Sequence, residues 1–274
     1  MSDIESRHFR RNWMKYTSSI VKFRHMDGMY LELLEMVEKG SDQYHKVTEF
    51  IKETASHFHQ ELPGSQISFH VPWSPHCKNE RCYDFLAISQ ACDILFVASY
   101  DIPNDLRDGC VARSSAPYHR VLSGMSDYIR LGIDSRKLVM GVAWYGYDYT
   151  CKRFLRVGDC ELEMTSQSVP CSYTAARRIP YKLVMQSLPR SLTGRFWDDD
   201  WKAPYFVYLV GNTYHEVWYD DPESISMRVS IVLKLNLRGV GVWTANDINY
   251  TGDARTRMQA AEMWNAVCPP WCDY

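Results

Sequence analysis

Strand-length apolar runs alternate along this chain with helix-length amphipathic ones, and that order leaves few folds open. The clearest run is ILFVASY, residues 94–100. A near-continuous apolar run of this length suits a strand buried on both faces, as in a parallel sheet covered by helices. Strands are expected at 26–34, 67–73, 94–100, 137–146 and 238–245. Helices are expected at 5–22, 41–62, 83–93, 117–132, 221–236 and 253–266. The second of these has an N-cap at Ser41 and stops before Pro63-Gly64.

Five βα units imply a parallel sheet with helices outside, either doubly wound or a (β/α)8 barrel. Neither a G-x-G-x-x-G fingerprint nor a P-loop is present. Polar and aromatic residues gather instead at strand ends: Glu32, Trp73, Tyr100-Asp101, Trp144-Tyr145 and Trp243-Asn246. Barrel enzymes build their sites at those ends. Eight units take ~250 residues, so five take roughly 155. Much of the excess is an aromatic, Cys-rich insertion at about 147–220, before the last strand. The expectation is therefore one α/β domain over 1–274, of (β/α)8 TIM-barrel type, with about five βα units. An open five-stranded parallel sheet leaves two unpaired edges.

Composition narrows the partners. Apolar residues make up 46% and charged residues 23% of 274, an ordinary globular balance. A net charge of −2 gives no electrostatic case for nucleic acid or an anionic membrane. No run approaches the ~18 apolar residues of a membrane span. The opening residues, MSDIESRHFRRNWMKYTSSIVKF, have no apolar core and do not read as a signal peptide. The 9 cysteines pull the other way: Cys77, Cys82, Cys92, Cys110, Cys151, Cys160, Cys171, Cys268 and Cys272. Most lie in loop-like stretches, which suits disulfides in an oxidising compartment, and the odd count leaves one over. None has C-x-x-C spacing, and neither a metal nor a cofactor is expected. The 9 Trp and 18 Tyr exceed what a core of this size needs and suit stacking on sugars. The sequon Asn249-Tyr250-Thr251 is an acceptor if the chain enters a secretory route.

Glycoside hydrolysis needs a carboxylic acid beside the glycosidic oxygen. It also needs a second group, a carboxylate or the substrate's own acetamido group, to stabilise the oxocarbenium ion. Alternate residues of a strand share one face, so acids spaced by two can all point into a barrel. In MDGMYLELLE that row is Tyr30, Glu32 and Leu34.

The stretch resembles the D-G-x-D-x-D-x-E strand of glycoside hydrolase family 18. Further landmarks resemble that family in order: WSPHCKNERCYDF, FVASYD for its M-x-Y-D strand, KLVMGVAWYGYDYTC, EVWYDDPESI and LRGVGVWTANDINYTGD. The similarity runs from about Ile4 to about Trp264. Single motifs here are weak, but their order is specific. The resemblance implies strands four to eight of the family barrel, with 5–22 as the helix before the catalytic strand and the first three units absent. It implies hydrolysis of the chitobiose core of asparagine-linked glycans, a lysosomal setting, and a monomer that binds N-acetylglucosamine-containing oligosaccharide. In the family mechanism a Glu protonates the leaving oxygen while the substrate acetamido oxygen attacks the anomeric carbon.

Carried over singly, Asp27 and Gly28 match. Tyr30 stands at an Asp or Asn, and Glu32 stands at the acetamide-orienting Asp, one methylene longer. Leu34 stands at the catalytic Glu and cannot donate a proton. Tyr100 and Asp101 match the pair that contacts the acetamido group and the sugar, with Ala98 at the usual Met. Trp243 matches the floor under the reacting sugar, with Asn246 beside it. Trp73, Trp144, Tyr145 and Trp218 are candidate further walls. His70 reads as a satisfied interior histidine. Three functions follow: a member without hydrolysis that binds sugar weakly, a hydrolase using Glu35 or Glu32 as acid, or a remnant that binds nothing. Glu35 would need a β-bulge at Leu33-Leu34 to turn inward. The departures at Leu34 and Tyr30 favour the first.

Overall fold

The computed structural model describes residues 6–77, 81–103, 109–163 and 176–268. The expected cysteines Cys171 and Cys272 lie outside them. The chain forms two compact units. The first takes Met1–Ala98, Ser123–Met140 and Leu235–Gly239, and the second takes Ser99–Leu122, Gly141–Lys234 and Val240–Tyr274.

The elements run α1 (Arg7–Phe23), β1 (Gly28–Leu31), α2 (Asp42–Glu61), β2 (Gln66–Pro72), α3 (Phe85–Ala91) and β3 (Ile94–Ala98). Then come α4 (Tyr118–Arg130), β4 (Leu138–Ala143), β5 (Tyr145–Thr150), β6 (Arg153–Arg156), β7 (Asp159–Glu161) and β8 (Ala176–Pro180). The rest are α5 (Tyr181–Ser187), β9 (Phe196–Asp198), β10 (Ala203–Val210), β11 (Thr213–Trp218), α6 (Pro222–Lys234), β12 (Gly239–Trp243) and α7 (Ala254–Val267). The five strands expected from the sequence form one sheet, ordered β1-β2-β3-β4-β12. The pairings of β1 with β2, β2 with β3 and β3 with β4 are parallel.

Within the first unit, Ile67, Phe69, Val71, Leu95, Val97, Leu138 and Met140 are all fully buried. The alternate face of the same strands carries Tyr30, His70 and Phe96, whose rings meet edge-on or tilted at 5.9–6.1 Å. Helix α1 begins at an N-cap where the Ser6 hydroxyl accepts from Phe9 N, and Ser41 caps α2 through Tyr44 N. Arg10 forks onto Glu53 at 2.8 and 3.1 Å and ties α1 to α2. The Asp27-Gly28 pair has a steric cause. A Cβ on Gly28 would lie 1.8 Å from Gln66 O, so β1 reaches its register with β2 only with glycine there.

Strand β1 is shorter than the alternation 26–34 suggested. Its ladder with β2 ends at Leu31, and Val37 next meets Arg81 in an isolated bridge. Apolar alternation marks which residues could share a face, but β1 leaves the ladder at Leu31 while β2 runs on to Pro72 beside β3.

In the second unit β4 leads not into a helix but into an antiparallel sheet, ordered β8-β5-β11-β10-β9, with the separate hairpin β6-β7. The Cys151–Cys160 disulfide closes the loop around β6, and Cys77–Cys82 closes a short loop of the first unit. A core of Trp144, Phe206, Val217, Ile225, Met263 and their neighbours packs this sheet with α5, α6 and α7. Among the described residues no helix is long and apolar enough to cross a membrane.

Candidate carbohydrate site

The chain past β1 carries the row of residues that motivated the reading. His70 is 6% exposed, and burial pushes its imidazole down to about 4, helped by the Arg81 charge. It is therefore neutral near pH 7. The Tyr30 hydroxyl and His70 Nδ1 are hydrogen-bonded at 2.5 Å. Burial, with the Glu32 charge, pushes the Tyr30 phenol up. Glu32 Oε1 lies 3.6 Å from the same Nδ1, too far for a hydrogen bond. The Glu32 carboxylate is left open to solvent.

Leu34 is 70% exposed. The Tyr83 hydroxyl lies 3.0 Å from both the Leu33 and Glu35 carbonyl oxygens. Tyr83 thereby ties the main chain at 33 and 35, past the end of β1, and both Leu34 and Glu35 are exposed.

The second unit gathers a different set. The carboxylate Oδ1 of Asp101 accepts from the hydroxyls of Tyr145 and Tyr147, each at 2.8 Å. Asp101 sits at φ 53°, a left-handed conformation uncommon outside glycine and tolerated best by Asn and Asp. Burial pushes its carboxyl up, against the two hydroxyls and the Arg178 charge, which pull it down. The Arg178 guanidinium lies 3.8 Å over the Tyr145 ring and pairs with Asp247 at 3.1 Å. Asp247 in turn accepts from Thr244 N at 3.3 Å, beside Trp243. Tyr100 meets the Tyr145 ring edge-on at 6.1 Å. Trp243 is half-buried and Asn246 exposed.

The sequence model of glycosyl hydrolases family 18 matches residues 2–247. The chain belongs to family 18. It is 40% identical over 271 residues to di-N-acetylchitobiase of Homo sapiens, covering 98% of this chain and 70% of that protein. Among solved structures, a class V chitinase mutant from Nicotiana tobaccum in complex with NAG4 superposes with a TM-score of 0.75 at 14% identity. The match covers 95% of this chain and 75% of that one. A spore cortex-lytic enzyme of Bacillus megaterium gives 0.68 at 19% identity, over 88% of this chain. The chain spans 51% of that enzyme's length. These similarities place the fold in the (β/α)8 barrel type of family 18.

Four candidate sugar contacts have the following surroundings. Trp144 is fully buried, with its ring 4.7 Å from that of Trp264 on α7. Trp218 is 2% exposed, stacked on Tyr205 at 4.4 Å, with its Nε1 donating to Glu216. Tyr145 is 3% exposed, with one face under Arg178 and its hydroxyl on Asp101. Asp27 precedes β1 at the N-terminal end, five residues and ~16 Å of strand from Glu32. Tyr30, Glu32, Leu34, His70 and the half-buried Trp73 fall in the first unit, whereas Tyr100, Asp101, Trp243 and Asn246 fall in the second. Tyr147, Arg178 and Asp247 were missed. The alternation YGYDYT put Tyr147 two residues from Tyr145 on one face, a signal that could have found it.

Two buried titratable groups set opposite pH slopes for stability. An unfolded histidine takes up its proton near 6.5, while His70 stays neutral to about 4. Its contribution is present above pH 6.5 and lost as pH falls toward 4. Glu216 is fully buried, accepting from Trp218 Nε1 and Gly158 N, and burial pushes its carboxyl up to about 7. Its contribution is present below the usual carboxylate range and lost as pH rises through 7. Each is of order 3 kcal/mol. In urea midpoints at pH 4.5 and 7, His70→Asn is expected to shift the balance toward acid and Glu216→Gln toward neutral pH. Unchanged pH profiles in both variants would refute these assignments.

Proposed function

We propose that this chain is a family 18 protein that does not hydrolyse glycosides and retains recognition of N-acetylglucosamine-containing oligosaccharide. Leu34, at the position of the family's proton donor, carries the reading. Departure of the glycosidic oxygen needs a proton delivered from within about 2.6–3.2 Å, directly or through one water. A leucine holds none. Glu32 lies two residues deeper, ~6.6 Å along an extended chain, and its charge suits orienting the acetamido group. Glu35 stands one residue beyond Leu34, exposed, with its main-chain carbonyl bonded by the Tyr83 hydroxyl.

Recognition rests on the groups that remain. Trp243 offers a flat apolar face for a sugar ring, with Asn246 beside it, and Trp73 is a further candidate. Asp101, set by Tyr145 and Tyr147, keeps an acceptor ready for a sugar hydroxyl or amide, with Tyr100 next to it. The human relative's name points to di-N-acetylchitobiose as the ligand, and the disulfides favour an oxidising compartment of the lysosomal route. Calorimetric titration with di-N-acetylchitobiose is expected to saturate. Trp243→Ala is expected to weaken binding about tenfold, the loss of one stacking contact. Heat that never saturates, or an affinity unmoved by Trp243→Ala, would rule out this mode of recognition.

A further inference from the structure

The segment after β12 carries a feature with no role in that reading. Asn249-Tyr250-Thr251 is the single Asn-x-Ser/Thr sequence of the chain. It lies in the turn that leads into α7, with Asn249 half-buried and Tyr250 and Thr251 exposed. Asn249 Oδ1 accepts from Thr251 N at 3.1 Å and from the Thr251 hydroxyl at 3.2 Å. Both bonds fall on the oxygen of the amide. Among the described residues Nδ2 donates none, so the nitrogen is the open end of the side chain. The Tyr250 hydroxyl holds the turn by donating to Ala245 O at 2.7 Å.

Asn249 also borders a cavity of about 140 Å³ between α5 and α7. Met185 and Pro189 give it an apolar wall, and Lys182, Gln186, Arg255 and Gln259 give it donors. Among the described residues no carboxylate lines it. An apolar wall with a few convergent amide and cationic donors suits a neutral sugar with an acetamido group. The Cys77–Cys82 and Cys151–Cys160 disulfides belong to the oxidising compartments through which glycosylated chains pass.

We propose that Asn249 is an N-linked glycosylation site whose first N-acetylglucosamine seats over the α5–α7 cavity. The donor is an oligosaccharide carried on a polyprenyl pyrophosphate. Nδ2 attacks the anomeric carbon, and the new C–N bond forms as the carbon–oxygen bond to phosphate breaks. The pyrophosphate leaves with the bonding electrons, and the Nδ2 proton passes to a base of the transferase.

The test is translation of the full chain behind a secretory leader in the presence of microsomes. Modification there accompanies synthesis, so a variant that folds poorly is still read. One glycan's shift is expected, reversed by peptide-N-glycosidase, lost in Asn249→Gln and Thr251→Ala, and kept in Thr251→Ser. An unshifted chain, in microsomes that modify a control protein, would overturn the site. The seating is read separately, as the rate at which peptide-N-glycosidase strips the folded, secreted protein. Gln259→Ala and Arg255→Ala are expected to speed stripping several-fold. Rates equal to that of the unmodified chain would overturn the seating.

Discussion

Arg228→Ala is expected to cost about 3–5 kcal/mol, the usual penalty for breaking a buried ion pair from one side. The Arg228 side chain is 1% exposed, and its Nη1 lies 2.8 Å from Asp220 Oδ1, itself 5% exposed. Its other nitrogen–oxygen bonds go to main-chain carbonyls. Nε and Nη2 donate to Ala116 O, and Nη1 donates to Ser224 O at 2.9 Å and Lys202 O at 3.2 Å. One guanidinium thus bonds a buried carboxylate and three main-chain carbonyls. Alanine removes the cation beside Asp220 and the donors to Ala116 O and Lys202 O, while the Ser224 hydroxyl stays on Asp220. Burial already pushes the Asp220 carboxyl up, with Arg228 and the Ser224 hydroxyl holding it down. Without Arg228 the carboxyl takes up a proton, which limits the loss without removing it. A chain of this size loses roughly 2–4 °C of Tm per kcal/mol, so melting is expected to fall by about 10 °C. The double variant Arg228→Met with Asp220→Leu is expected to recover much of that, because no charge is then left buried alone. Melting of Arg228→Ala within 2 °C of the unmodified chain would contradict this role.

The fold was legible where one period dominated. Helix α2 shows a helical repeat between Ser41 and Pro63, and its N-cap bond to Tyr44 N is the one expected from that position. The parallel strands were legible because Ile67, Phe69 and Val71, and Leu95 and Val97, had to be buried against helices. The antiparallel sheet was not resolved into strands. In YGYDYT every residue but the last is buried, so no polar face alternates with an apolar one. The same ambiguity misplaced Trp144. A tryptophan at a strand end reads as a sugar platform until a helix from 120 residues further on brings Trp264 against it. Arg178 and Asp247, 69 residues apart, form a pair no local pattern announces. The reading of position 34 needs no fold, since a leucine has no proton to give in any geometry.

That residue yields the other large effect. A general acid contributes typically 10²- to 10⁴-fold to rate. Restoring a carboxyl at 34 is therefore expected to raise N-acetylglucosamine release by at least about 10²-fold. The exposure of Leu34, 70%, leaves room for glutamate without displacing any core residue. The new carboxyl would stand two residues beyond Glu32 in the chain. A Glu32→Gln change in that background is expected to lower the gained rate, because the group that orients the acetamido oxygen loses its charge.

The most direct measurement is release of N-acetylglucosamine from di-N-acetylchitobiose by the unmodified chain and by Leu34→Glu, side by side. The account predicts no release above buffer from the unmodified chain and turnover from Leu34→Glu. Turnover by the unmodified chain would contradict it, since some other group would then be delivering the proton.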